Sequence, residues 1–334
     1  MRVVIAHNQV DEGADPSTAD VLDQVAMVQR GLDKLGLPHD LVSVAGGRAW
    51  EAIVPGVGTV IFNLLEAPPG APQRQSASAA VLELLDLPFT GSPAGVLWLT
   101  TDKVAARAVL ASRGLPVAAG GQLVVHRPTV LDEVPPPWIV KPAWEDASVG
   151  LEGQPVCASR EAALARASML VRRFPGQPVL LEHFLPGREF NVGLIELDGT
   201  VDVLPVAEME FVDFPPEVPP FISFEAKWET GSFGDLHTRR AFPDPERERA
   251  LLGAVSTLAR EAWVACGLAG YARVDIRLDE ASRPHILDVN ANPCLSAEAG
   301  FVVAAARAGL GEGEVVQRIL AAASRRFARA RAAV

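Results

Sequence analysis

The chain has 334 residues, 49% of them hydrophobic and 21% charged, and a formal net charge of −11. At roughly 150 residues per domain this length predicts about two domains, and so much apolar material excludes disorder as the overall state. The acidic balance excludes binding to nucleic acid or an anionic membrane through bulk charge, and three scattered cysteines (Cys157, Cys266, Cys294) with no CxxC exclude a disulfide framework or a cysteine zinc site.

Arg2–Ala6 reads as a buried first strand rather than the apolar core of a signal peptide, and no run reaches 18 apolar residues, so a cytoplasmic protein is expected. Val21, Val25, Val28, Leu32 and Leu35 share one helical face, and Gly36 closes that helix. Strands at Asp40–Val44 and Thr59–Asn63 and a helix at Ser78–Leu85 complete a β-α-β-β-α rhythm, the pattern of an open parallel sheet. The rhythm then changes. A helix is predicted over Thr101–Arg113, closed by Gly114, with strands at Gly121–His126 and Trp138–Lys141, a helix at Glu161–Phe174 and a strand at Pro178–Glu182. Strands at Phe190–Leu197 and Val201–Pro205 lead into a proline-rich loop, about Phe211–Pro243, long enough to suggest function. A helix over Glu246–Cys266, a hairpin of Ala272–Leu278 with His285–Asn290, and a helix from about Glu314 finish the chain. The terminal arginines 325, 326, 329 and 331 read as complements to that helix's dipole.

Four segments bear chemistry. In Pro137–Gly153 a strand delivers Lys141 to a small-residue turn containing Ser148 and Gly150, where backbone N–H groups can cradle phosphate beside the ammonium charge; no Walker A pattern is present. Lysine is rare here, four residues against 26 arginines, and Lys103, Lys141 and Lys227 all fall near proposed phosphate positions. In Arg273-Val-Asp275 and Asp288-Val-Asn290, residues two apart share a strand face, and a hairpin would converge Asp275, Asp288 and Asn290. Three hard oxygen donors suit Mg²⁺ shared with phosphate. In Val179–Glu189 a strand leaves through a Pro-Gly turn whose backbone can read a planar base edge, with Glu189 available to ribose hydroxyls. Glu225-Ala-Lys227-Trp228 places a lone lysine inside the long loop, suited to a lid that closes on a phosphoryl group.

Together with FNLLEAP (Phe62–Pro68), LPFTGSPAGVLWLTTDK (Leu87–Lys103) and ILDVNANPCLS, these motifs, in this order, resemble the ATP-grasp superfamily, in its D-alanine–D-alanine ligase-like branch. The resemblance implies an α/β N-terminal domain with a Rossmann-like open sheet (1–95), then the two α+β subdomains of an ATP-grasp fold (96–183 and 184–334). It implies that Lys103 and Lys141 contact ATP phosphates, that Ser148 and Gly150 belong to a phosphate lid, and that Glu182 and Leu185 form the adenine hinge, with Glu189 on the ribose. Lys227 is then the lid lysine, Asp275, Asp288 and Asn290 hold two Mg²⁺ ions (Mn²⁺ as a substitute), and Arg273 stabilises the reacting carboxyl oxygen. Arg273, Lys227 and Ser148 are the catalytic set. The activity implied is ATP-dependent carboxylate–amine ligation through an acyl phosphate, with small-molecule substrates, amino acids among them. A homodimer, with neither nucleic acid nor membrane as partner, is the expected assembly.

The chain also departs from the branch, in ways that point away from a D-alanine–D-alanine ligase proper. His7–Val21 replaces the glycine-rich segment that holds the first alanine, leaving Asp11, Glu12 and Asp15 as candidates for the amine. Trp228 follows the lid lysine where Tyr or Phe is usual, Cys294 stands for a glycine, His183 replaces a hinge lysine, and Ala299-Gly300 stand where a serine and an apolar residue would hold the product carboxylate. Cys294 reads first as a small packing residue. Two alternatives stay open: an ATP-grasp enzyme that joins a carboxylate to a hydroxyl or thiol, and a non-catalytic ATP-binding regulator.

Overall fold

A computed structural model describes residues 1–11, 13, 16–44, 58–68 and 70–332. β1 (Arg2–Asn8), β2 (His39–Val44) and β3 (Thr59–Leu64) form a parallel sheet in the order β2-β1-β3. The helix Pro16–Lys34 makes the crossover from β1 to β2 and buries Val21, Val25, Val28 and Leu32, the face that the spacing predicts. All six residues of β3 are buried, as expected for a strand covered on both faces.

The predicted helix over Thr101–Arg113 is Lys103–Ser112, and a separate helix, Ala94–Thr101, precedes it, the two broken at Asp102. Asp102 is extended, and its carboxylate accepts from the Val104 and Ala105 amides, so a cap competes with helix continuation and wins. Leu97 and Leu110 bury against the helix Arg249–Cys266, in one core with the C-terminal strands. The middle of the chain has its own core: β4 (Gly120–Gln122), β5 (Trp138–Pro142), β6 (Val156–Cys157) and β7 (Val179–His183) pair antiparallel in the order β4-β7-β5-β6, covered by the helix Arg160–Arg173. β4 is shorter than the strand expected there. Its Gly120 lies so close to the β7 backbone that a Cβ would sit 2.3 Å from the Leu181 oxygen.

The third sheet has six strands: β8 (Glu189–Leu197), β9 (Thr200–Val203), β10 (Ala207–Phe211), β11 (Thr238–Ala241), β12 (Tyr271–Leu278) and β13 (Pro284–Asn290). Its order is β11-β10-β8-β12-β13, with β9 paired to β8. The loop that reads as structureless in sequence therefore holds a strand, β11, and two short helices, Phe224–Trp228 and Phe233–His237, each opened by a serine cap. Their apolar residues are few, so periodicity gives no signal; the serine caps and pairing to β10 define them. Gly300–Arg307 forms a further helix, and the helix Glu312–Ala332 ends the described chain. Its arginines are not free for dipole complementation alone: Arg326 donates to the Phe89 and Gly91 carbonyls and packs on the Phe89 ring. Among the described residues no helix is long and apolar enough to cross a membrane.

Candidate active site

The four-stranded and six-stranded sheets face each other across a cleft, and the rare lysines enter it from different elements. Lys103 starts its helix at the cap. Its Nζ donates to the Glu145 carbonyl at 2.6 Å and lies 3.8 Å from Asp288 Oδ2. Lys141, on β5, has its Nζ 2.8 Å from Glu182 Oε2 on the neighbouring strand β7. Burial works against the Lys141 charge, but Glu182, Asp288 and Glu189 outweigh it and hold the ammonium pKa above its ordinary value. The other Glu182 oxygen faces Arg107 at 3.7 Å.

The turn after β5 is built for close approach. Ala147 and Ser148 take positive φ, and at Gly150 (φ +81°) a Cβ would sit 2.6 Å from the Pro142 ring. Arg166 anchors this turn from behind, donating to the Val140, Gly150 and Glu152 carbonyls. Arg166 is a support residue that its amphipathic helix conceals in sequence. Across the cleft, Ser148 Oγ donates to the Ile222 carbonyl and the Trp228 indole donates to the Ala147 carbonyl, so the turn and the long loop meet. Lys227 precedes Trp228 on that loop; desolvation, and then the Arg273 charge, lower its pKa. Asp275, Asp146 and Glu189 are the acids that partly offset this.

The hairpin pairs as predicted. Asp275 lies opposite Asp288 and Arg273 opposite Asn290. Arg273 grips Asp275 through two hydrogen bonds of 2.8 and 2.9 Å, and Asn191 donates to the same carboxylate at 2.9 Å. Asn290 Oδ1 accepts from the Asn292 amide. Among the described residues no three His, Cys, Asp or Glu side chains cluster as a self-sufficient metal cage. Two carboxylates and an amide oxygen are nevertheless a hard donor set of the kind Mg²⁺ takes, since that ion uses few protein ligands and completes its shell with water and phosphate.

In the connection from β7 to β8, Leu185 is buried, and Glu189 is buried with one oxygen 3.0 Å from Arg277. Arg277 lies over the Phe184 and Phe211 rings and donates to the Pro220 and Gly187 carbonyls, so it ties the proline-rich loop to the β7–β8 connection. Burial raises the Glu189 pKa, with Arg277 opposing.

The N-terminal sheet closes one end of the cleft. Glu12 and Asp15 lie outside the described residues, and Asp11 bonds to Gln9 on an exposed loop. The acids that do reach the C-terminal strands are Asp20 and Glu66, which the sequence reading did not single out. Cys294 donates its thiol proton to Asp20 at 2.9 Å, and Gln24 bridges Asp20, Glu66 and the Leu295 amide. Burial, then Asp20, pushes the Cys294 thiol up to about 12, which makes it a hydrogen-bonding and packing group. Glu66 is held by Asn8, whose side chain bonds both the Glu66 amide and its carbonyl. Its carboxyl is pushed up to about 7 by burial and then by Asp146.

The family model described as the D-alanine–D-alanine ligase C-terminus matches residues 125–321. The chain belongs to the D-alanine–D-alanine ligase family. A D-alanine–D-alanine ligase of Gluconobacter oxydans is 35% identical over 238 residues, covering 70% of either chain. The one from Gloeobacter violaceus is 30% identical over 307 residues, 85% of this chain and 95% of the relative. An uncharacterised protein of Sinorhizobium fredii is 31% identical over 269 residues, 80% of this chain and 75% of that one. A crystal structure of the D-alanine–D-alanine ligase from Bacillus anthracis superposes with a TM-score of 0.76 over 99% of both chains at 17% identity, and that protein complexed with ATP gives 0.74. The likeness establishes the ATP-grasp fold, an open parallel sheet followed by two antiparallel α+β bodies, and membership makes this chain an ATP-grasp ligase.

Proposed function

We propose that this ligase joins a carboxylate to an amine through an acyl phosphate. The single observation that supports this best is convergence: Lys103, Lys141, Lys227 and Arg273 arrive from four elements and share the acids Asp275, Asp288 and Glu189. Cations gathered in this way, each able to exchange a protein carboxylate for a guest oxygen, suit a polyphosphate. In this reading Leu185 and Glu182 border the adenine, Glu189 meets the ribose, and Lys103, Lys141 and the turn at Ser148–Gly150 bind the phosphates. Asp275, Asp288 and Asn290 would hold Mg²⁺, which neutralises charge on the transferring phosphoryl group.

The substrate carboxylate oxygen attacks the γ-phosphorus and ADP leaves. The amine nitrogen then attacks the acyl carbon, loses a proton, and phosphate departs. Both steps gather negative charge on oxygen, which Arg273 and Lys227 are placed to stabilise. The contacts of Ser148 and Trp228 across the cleft shield the acyl phosphate from water. Asp20, Glu66 and Asp146, near one another at the N-terminal end of the cleft, supply the negative field that receives a substrate ammonium in place of the missing segment.

The deciding experiment measures phosphate and ADP release from Mg·ATP with D- and L-amino acids, singly and in pairs, with Lys227→Ala and Asp288→Ala as controls. Turnover that needs a pair of amino acids and vanishes in both variants supports ligation. Tight ATP binding without stimulation by any pair removes the amino-acid reading.

A further inference from the structure

Arg277 is buried among partners drawn from separate segments, and the ATP chemistry above assigns it no role. On β12 it shares a face with Arg273 and Asp275, four and two residues before it, and β8 sets Glu189 directly opposite. Its Nη1 donates to Glu189 Oε2 at 3.0 Å, its Nε to the Gly187 carbonyl at 3.1 Å and its Nη2 to the Pro220 carbonyl. The Phe184 and Phe211 rings cover the guanidinium, with centroids 4.9 and 5.6 Å away. The side chain is 3% exposed, so its charge needs an anion, and Glu189 is the one carboxylate among the described residues that bonds it. Burial disfavours both charges, and each partner's charge opposes the effect on the other.

The two ends of this arrangement serve different tasks. Glu189 is the acid given to the ribose, and Arg277 occupies its Oε2, which leaves Oε1 for a hydroxyl. Pro220 belongs to the long loop. It lies two residues before Ile222, whose carbonyl accepts from Ser148, and seven before Lys227. Little of that path is free to flex. The rings of Pro219 and Pro220 fix φ, and Ser223 caps the helix Phe224–Trp228 that carries Lys227.

We infer that Arg277 is a positioning residue that couples the nucleoside at Glu189 to the loop carrying Lys227, so that a ribose hydroxyl bound at Glu189 tightens the hold on Pro220 and seats the lysine. The inference rests on the ATP reading above. The physical reason is a shared carboxylate. A hydroxyl donating to Oε1 favours the ionised form of a buried acid and restrains its orientation. A restrained Glu189 holds the planar guanidinium in one orientation, and the rigid fork then presents Nη2 to Pro220. A lysine could pair with Glu189 but has no fork to hold both partners in fixed geometry. Linkage makes the effect reciprocal, so a seated loop tightens nucleoside binding.

The test reads amide hydrogen exchange by mass spectrometry in peptides covering the loop 218–228 and the turn at Ser148–Gly150. The magnesium-bound probes are ADP, 2′,3′-dideoxy-ADP and inorganic pyrophosphate, and calorimetry gives their Kd values. The wild type should bind ADP about tenfold more tightly than its dideoxy form, the range of a hydrogen bond to a charged group. ADP should also slow exchange in the loop by about tenfold more than either other probe, while all three protect the turn. Arg277→Lys keeps a cation for Glu189. It should retain the affinity difference within about threefold, yet cut the extra loop protection to about twofold or less. Arg277→Met should lose both, with the turn still protected by pyrophosphate; if it does not fold, the wild type and Arg277→Lys decide the matter. An affinity difference without extra loop protection in the wild type, or extra protection undiminished in Arg277→Lys, overturns the inference and leaves the ribose assignment standing. Equal affinity for ADP and its dideoxy form removes Glu189 from the ribose and overturns the inference with it.

Discussion

The Trp228 indole donates to the Ala147 carbonyl at 3.2 Å, and Ser148 on the same turn donates to the Ile222 carbonyl at 2.9 Å. Two loops more than 70 residues apart thus close over one cleft, each through a side chain bonded to the other's backbone. Ser148→Ala removes one such bond, worth about 1 kcal/mol, and should raise KM for ATP by about fivefold. Water should then compete for the acyl phosphate, so that phosphate release exceeds amide formation. A ratio that stays at unity would show that these contacts do not seal the cleft.

Lys141 and Glu182 form a buried pair, and Arg107, 3.7 Å from the other Glu182 oxygen, is too far to replace the lysine. Lys141→Met strands a buried carboxylate and should destabilise the fold by roughly 3 kcal/mol or more while abolishing ATP binding. Adding Glu182→Gln should recover most of the melting temperature and none of the nucleotide affinity. Recovery of both would remove Lys141 from the phosphate site.

Asp288 lies beside Lys103 on the outer strand of the hairpin, while Asp275 is engaged by Arg273 and Asn191. Asp288→Asn should raise the Mg²⁺ concentration needed for half-maximal turnover by about tenfold, equivalent to about 1.4 kcal/mol. A chelator should abolish turnover in the wild type. An unchanged Mg²⁺ dependence in the variant would place the ion elsewhere.

The Glu66 carboxyl is pushed up to about 7 when folded, whereas an unfolded glutamate titrates near 4.3. Between those values the folded state holds a proton that the unfolded state has released. The contribution to stability is full below the unfolded value and is lost as pH rises through about 7. Glu66→Gln should therefore melt higher than the wild type at pH 8, with the gap closing below pH 5. Parallel melting profiles across that window would assign the titration to another group.

Local chemistry is legible in the chain before it folds. Alternating apolar runs give the strands, the 21–35 periodicity gives the first helix, and the two-residue spacing in Arg273–Asp275 and Asp288–Asn290 gives a shared face before any pairing is known. The hairpin register follows because a short connection leaves few alternatives. Tertiary structure decided the rest. Asp20 and Glu66 have no local signal, since their environment comes from Gln24 and Cys294, brought close only when the N-terminal sheet packs on the C-terminal strands. The short helices of the long loop and the strand β11 bury too little to show a period; pairing with β10 defines that strand. Arg166 and Arg277 carry no local signal in sequence, yet the fold buries both against backbone carbonyls. An ionic side chain's partners are chosen by chain segments far away in sequence, so its role is fixed only once those segments meet.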